Sequence, residues 1–240
     1  MPLPLFAGLR GLRPTNVLAA ALITSALVAA TQTTWAGAST SSDKAQAKKY
    51  LLHLSDMPAG WKTEKKSANN GSGTFPGAKQ LAGCIGVPSK LINANPPEVD
   101  SPYFATKSGS LEVQDTVSIF SSAKVARTSL AAMANPKTPS CMAALMNGAF
   151  KSNIAASAGN GAKVGTITVS RIDPAEFGRG TTGLALSLPV TDQGVSITAV
   201  IQAVFYVKGK FGQQITFNSY GPPFPAATAK SLTATAINRL

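Results

Sequence analysis

One histidine and two cysteines are all the imidazole and thiol that 240 residues hold, and only 13% of the chain is charged. That scarcity excludes a His/Cys metal cage and any array of imidazole-based acid–base dyads, so no metal site and no cofactor is expected. Neither a G-x-S-x-G elbow nor a G-x-x-x-x-G-K-[ST] loop occurs, which removes the α/β-hydrolase nucleophile and the P-loop phosphate cradle. Acids are few as well, 10 Asp+Glu against 22 Lys+Arg, for a formal charge of +12. What the chain has in quantity is apolar: 44% of it is hydrophobic, enough for a packed core and unlike a disordered basic tail.

The apolar residues begin with an export pattern. Arg10 and Arg13, the uncharged run Val17–Ala30 and the stretch ending Ala36-Gly37-Ala38 follow the order of a basic n-region, an apolar h-region and an A-x-A cleavage site. The run has 14 residues, whereas crossing a bilayer takes roughly 20. Residues 1–38 therefore read as a cleaved signal peptide, with an uncleaved N-terminal anchor as the alternative. No Cys stands near the cleavage point, which excludes a lipid-modified N-terminus, and the paired arginines of a twin-arginine signal are missing. The expected product is secreted or held at the cell envelope, monomeric, and no longer an integral membrane protein once the signal is gone.

The mature chain, 39–240, keeps 20 Lys+Arg against 10 acids, and sixteen of those cations are lysines scattered from Lys44 to Lys230. Scattered lysines usually make a solvated surface. The sharper expectation is a salt-sensitive attraction to an anionic cell-wall polymer or to lipid headgroups. Nucleic acid is not expected, because no aromatic-plus-Arg stacking motif and no basic recognition helix appears.

Cys84 and Cys141 meet an oxidising compartment after export, where a disulfide persists, and their pairing is forced if both are oxidised within one chain. A loop of 58 residues closed this way stabilises by about 4 kcal/mol. A redox-active pair would show C-x-x-C spacing, which is absent, so the pair reads as a structural staple.

Along the mature chain, Asp43–Leu54 predicts a helix with Ala47, Leu51 and Leu54 on one side, stopped by Met57-Pro58-Ala59-Gly60. A Ser67–Gly73 loop, a segment Gly77–Ile85 carrying Cys84, and an irregular, proline-rich Val87–Asp100 follow. From Pro102 the period becomes two: Leu111, Val113, Val117 and Ile119 alternate with Glu112, Gln114, Thr116 and Ser118 as a half-buried strand, with Asp115 on the apolar side as either a strand-end bulge or a buried, hydrogen-bonded carboxylate. Ser121 or Ser122 caps a helix to about Ala134, and Pro139-Ser140 opens another that carries Cys141. Strand patterns run through Val164–Ile172, Gly183–Val190, Val195–Val207 and Phe211–Ser219, and a last helix covers Ala226–Leu240. For the final hairpin, a Val207-Lys208-Gly209 loop sets Phe205 against Phe211, Ile201 against Ile215 and Gln202 against Gln214. The fold class is α+β, a mostly antiparallel sheet of about five strands flanked by helices with one disulfide, in a single domain.

The order of short motifs adds a resemblance. Leu54-Ser55-Asp56-Met57-Pro58-Ala59-Gly60-Trp61, Leu81-Ala82-Gly83-Cys84-Ile85-Gly86, Asp100-Ser101-Pro102-Tyr103-Phe104 and Val117-Ser118-Ile119-Phe120-Ser121-Ser122-Ala123, with Cys141 behind, resemble the exported sensor-like domain of some mycobacterial serine/threonine kinases and of stand-alone actinobacterial exported proteins. The resemblance spans roughly Lys48 to Leu240. It implies an antiparallel sheet flanked by helices, disulfide support and a cleft for an unidentified ligand. It carries over the Cys84–Cys141 staple and the turn at Gly60-Trp61, and no ligand residues. No kinase domain accompanies it, and one cysteine pair stands where the kinase-attached domains have more.

Candidate residues are few. His53, beside Leu52 and Leu54, reads as a packing or surface side chain. Glu98, Asp100, Glu112, Asp115, Asp173 and Glu176 keep an exported hydrolase with a carboxylate pair open as the alternative. Gly159-Asn160-Gly161 reads as a turn. Trp61, Tyr103, Phe104 and Tyr206 are the aromatic candidates for binding, and Gln202, Gln214 and Tyr206 are candidates to line a polar groove. Trp61, Tyr206, Gln202 and Gln214 form the expected ligand set of a non-enzymatic domain that binds a small molecule, a lipid or a wall polymer.

Overall fold

The computed structural model describes residues 40–64, 77–92, 96–158, 162–178, 180–192 and 194–240. The signal segment, the Ser67–Gly73 loop and the Gly159-Asn160-Gly161 turn lie outside the described residues.

Alternating stretches make an antiparallel sheet: β1 (Trp61–Glu64), β2 (Glu98–Asp100), β3 (Tyr103–Thr106), β4 (Leu111–Ile119), β5 (Lys163–Val164), β6 (Thr168–Ile172), β7 (Thr182–Asp192), β8 (Val195–Lys208) and β9 (Phe211–Tyr220). Their order is β1-β3-β4-β9-β8-β7-β5, with β2 beside β4 and β6 beside β7. Among the described residues, nine strands therefore replace the five expected. The additional ones have two to four residues, too short for a period-two pattern to register.

Helices cover both faces. On one face lie α1 (Ser41–Tyr50), α7 (Pro174–Phe177) and α8 (Ala226–Arg239), whose Ala47, Phe177, Leu232 and Ala236 pack with Val113, Val117, Ile215 and Phe217. On the other lie α2 (Ala78–Ile85), α4 (Ala123–Met133), α5 (Thr138–Leu145) and α6 (Lys151–Ala158), whose Leu81, Met133, Met142 and Ile154 pack with Leu184, Leu186, Leu188 and Ile201. The one-turn α3 (Ser89–Ile92) follows α2, inside the stretch expected to be irregular. A single π-type turn, Met146–Phe150, joins α5 to α6. Cys84 on α2 and Cys141 on α5 form the expected disulfide, with Cα atoms 5.8 Å apart.

Two expectations need correction. Helix α1 starts with a Thr40/Asp43 capping box and ends at Tyr50, not at Leu54. Leu51 and Leu52 leave the helix to be buried, and Leu54 is 42% exposed in a 3-10 turn. The helical spacing that grouped Leu54 with Ala47 fails because the Leu52 amide is taken by a side chain of the sheet. In the last hairpin, Lys208 pairs with Phe211 across a Gly209-Lys210 loop, so Val204 faces Ile215, Phe205 faces Gln214, Tyr206 faces Gln213 and Gln202 faces Phe217. The apolar-on-apolar argument presumes one wet face, and here helices cover both. What sets the register is the two-residue turn, whose first position, Gly209, has φ +59°, the conformation a tight hairpin requires.

Candidate functional site

Because side chains alternate along a strand, β4 and β9 present opposite chemistry to the two sides of the sheet. Toward α8 they send Val113, Val117, Ile215 and Phe217, with Asp115 and Gln213 among them. Toward α4 they send Glu112, Gln114, Thr116 and Ser118, paired across the ladder with Asn218, Thr216, Gln214 and Gly212. Eight neighbouring positions are thus polar or glycine, and all of these side chains but the half-buried Thr116 are buried.

Neighbouring strands complete this polar field. Glu98 and Asp100 on β2 accept from the Ser118 and Thr116 hydroxyls at 3.0 and 2.9 Å. The Tyr220 hydroxyl donates to Glu112 at 3.2 Å, and Gln214 donates to Thr216 at 2.9 Å. Burial raises the Glu112 carboxyl above its ordinary range, against the opposing influence of Tyr220 and Asn218. Burial, with Glu112 and Asp100 adding to it, pushes the Tyr103 phenol up to about 12. Asn218 stands close enough to Glu112 to favour its ionised form, yet neither amide atom is in hydrogen-bond geometry with any group, at 1% exposure. Where α4 meets this face, Ser118, Phe120, Leu130, Met133, Phe205 and Gln214 border a cavity of about 30 Å³, room for about one water.

On the other face, Asp115 resolves the choice left open for it: it is a fully buried carboxylate within a regular ladder. It accepts from the Leu52 amide at 2.8 Å and from Gln213 Nε2 at 2.8 and 2.7 Å. Gln213 is oriented in turn by the Tyr206 hydroxyl, which donates to its Oε1, and it also donates to the Tyr50 carbonyl at 3.3 Å. Burial pushes Asp115 up to about 7 despite these donors. The network ties the end of α1 to the sheet.

The four residues of the expected ligand set do not meet. Trp61, on the edge strand β1, is half-buried against Phe224 with ring centroids 6.1 Å apart. Tyr206 and Gln202 point to the α8 side of β8, the former buried in the Asp115 network and the latter half-buried. Gln214 alone belongs to the polar field. Of the other aromatic candidates, Phe104 is core and Tyr103 flanks Glu112 and Asp100. Glu112 was named in the sequence only as a candidate hydrolase carboxylate and Gln114 not as a site residue at all, although the alternation of Glu112, Gln114, Thr116 and Ser118 was itself the available signal. His53 is exposed, and its backbone N–H donates to Asp56 at 2.7 Å. Asp173 caps α7, and Glu176 is exposed on it. Among the described residues no cluster of His, Cys, Asp and Glu could hold a metal, and no helix is long and apolar enough to cross a membrane.

No family model matches the chain, and no curated protein matches it. Among solved structures it is similar to the extracellular domain of PknH from Mycobacterium tuberculosis, at 10% identity over 82% of this chain and 95% of that one, with a TM-score of 0.42. A likeness this loose assigns no residue a role.

Proposed function

We propose that the chain is an exported, non-catalytic binding domain whose small polar ligand sits on the polar field between β4 and β9. One observation carries this reading: the Asn218 carboxamide, 1% exposed, has Glu112 as a polar neighbour and forms no well-aligned hydrogen bond through either atom. An unpaired buried polar group costs about 1–3 kcal/mol, and a ligand that offers one donor and one acceptor offsets that cost. Glu112 and the Tyr220 hydroxyl lie beside it, so the ligand class is one rich in hydroxyl or amine groups. The export pattern of residues 1–38 supports an extracytoplasmic setting. Catalysis is disfavoured by the employment of the acids: Asp115 anchors α1, Asp173 caps α7, and Glu98 and Asp100 hold strand hydroxyls.

The test is a thermal-shift screen of the chain from Ser39 onward against small-molecule fractions of the cell envelope, run beside Asn218→Leu. At least one fraction is expected to raise the melting temperature of the unaltered chain by several degrees and to leave the variant unmoved. No shift with any fraction, or an equal shift in both proteins, overturns the reading.

A further inference from the structure

Five of the scattered lysines and one arginine are gathered by the fold at one end. The Lys210 carbonyl in the β8–β9 turn accepts from the Phe120 amide at 2.8 Å, which brings the start of α4, with exposed Lys124 and Arg127 in its first turns, beside exposed Lys208. The Lys210 ammonium reaches Asp43 at 2.7 Å, which brings in the start of α1. That helix shows Lys44 and Lys48 four residues apart, both exposed, and therefore on one stripe. Two acids belong to this end, and both are engaged: Asp43 with Lys210, and Glu98 as acceptor from Ser118. The net excess is positive and faces solvent.

The described residues begin at this end, with Thr40. Thr40, the cap of α1, stands ten residues after Ala30, where the run Val17–Ala30 finishes, and ten residues reach about 35 Å at most. While residues 1–38 are still attached and that run is seated in a bilayer, the basic end is the part of the domain held toward the lipid; once they are removed, the basic side chains alone hold it there.

We infer that Lys44, Lys48, Lys124, Arg127, Lys208 and Lys210 form a docking surface for an anionic lipid bilayer, which sets the orientation of the domain on the membrane. All six are cations, so the attraction is electrostatic, screened within about 8–10 Å at physiological salt and worth about a fivefold gain in partitioning per basic residue close to the surface. The inference is independent of the ligand proposed for Asn218.

The test is co-sedimentation of the chain from Ser39 onward, which contains both core clusters and every described element, with vesicles of equal parts phosphatidylglycerol and phosphatidylcholine, and with vesicles of phosphatidylcholine alone. Binding to the first, loss of it at 0.5 M salt, and none to the second are expected. Arg127→Glu with Lys208→Glu should weaken binding more than tenfold. Lys107→Glu with Lys163→Glu makes the same change in net charge at the opposite end of β4 and β8 and should weaken it less than threefold. Thermal denaturation of each variant checks that it is folded. Equal losses in the two double variants, no binding to anionic vesicles, or binding only to a soluble polyphosphate would each overturn the inference.

Discussion

The carboxylate of Asp115, in the middle of β4, holds the backbone amide of Leu52 at 2.8 Å, 63 residues earlier in the chain. The contact explains why α1 stops where it does, and it makes stability depend on pH. Burial lifts the carboxyl to about 7 from 3.8, so the folded chain holds this proton more tightly than the unfolded chain. The stabilisation is complete below about pH 4 and is lost as pH rises through 7. Between pH 5 and pH 8, Asp115 should lower the unfolding free energy by about 2–3 kcal/mol, and Asp115→Asn should remove that part of the slope. Urea unfolding of both proteins at both pH values checks this; parallel pH dependences would sink it.

The other end of the chain clamps the same segment. Arg239 donates to the Leu51 carbonyl at 2.8 Å and makes two bonds to the Asp56 carboxylate, each 2.6 Å. Burial works to raise Asp56, and the guanidinium together with the His53 amide outweighs it, leaving the carboxyl below its ordinary value. Lysine cannot reproduce the fork. Arg239→Lys should cost about 1–2 kcal/mol, after allowance for the partial exposure of the pair, read as a fall in urea midpoint at constant slope.

Reduction of the Cys84–Cys141 bond should cost about 4 kcal/mol by chain-entropy reasoning. Equilibrium unfolding with and without reductant measures it. A Cys84→Ser/Cys141→Ser variant that matches the oxidised chain in stability would contradict the staple.

Two glycines should answer oppositely to alanine. A Cβ at Gly212 would stand 2.6 Å from Cε2 of Phe120, whose ring lies against the strand, so Gly212→Ala should destabilise by about 1–3 kcal/mol. Gly83 lies inside α2 with nothing within 4 Å of a new Cβ, so Gly83→Ala should stabilise by about 0.5–1 kcal/mol. Melting temperatures of the two variants, moving in opposite directions, are the check.

Long periodic elements were legible in the sequence, and short ones were not. The alternating residues Leu111–Ile119 do form a strand, though it is buried on both faces where one wet face was expected, and Ser122 caps α4 through its bond to the Val125 amide. The strands β1, β2, β3 and β5 owe their existence to neighbours: Trp61–Glu64 is a strand because Tyr103–Thr106 offers it a partner, a relation no window of sequence contains. The candidate site failed for a related reason. Gln202 and Gln214 were set on one face by a register that assumed solvent on the other side of the hairpin. The true pairing of Val204 with Ile215 sends those two glutamines to opposite sides of the sheet.

The Arg239–Leu51 contact joins residues 188 apart. With β9 needed for Gln213 and α8 needed for Arg239, the groove that α1 fills is built from segments far along the chain. Helix α1 therefore cannot be held by local contacts alone: the side chains that grip its end, Asp115 and Arg239, lie 63 and 188 residues beyond it.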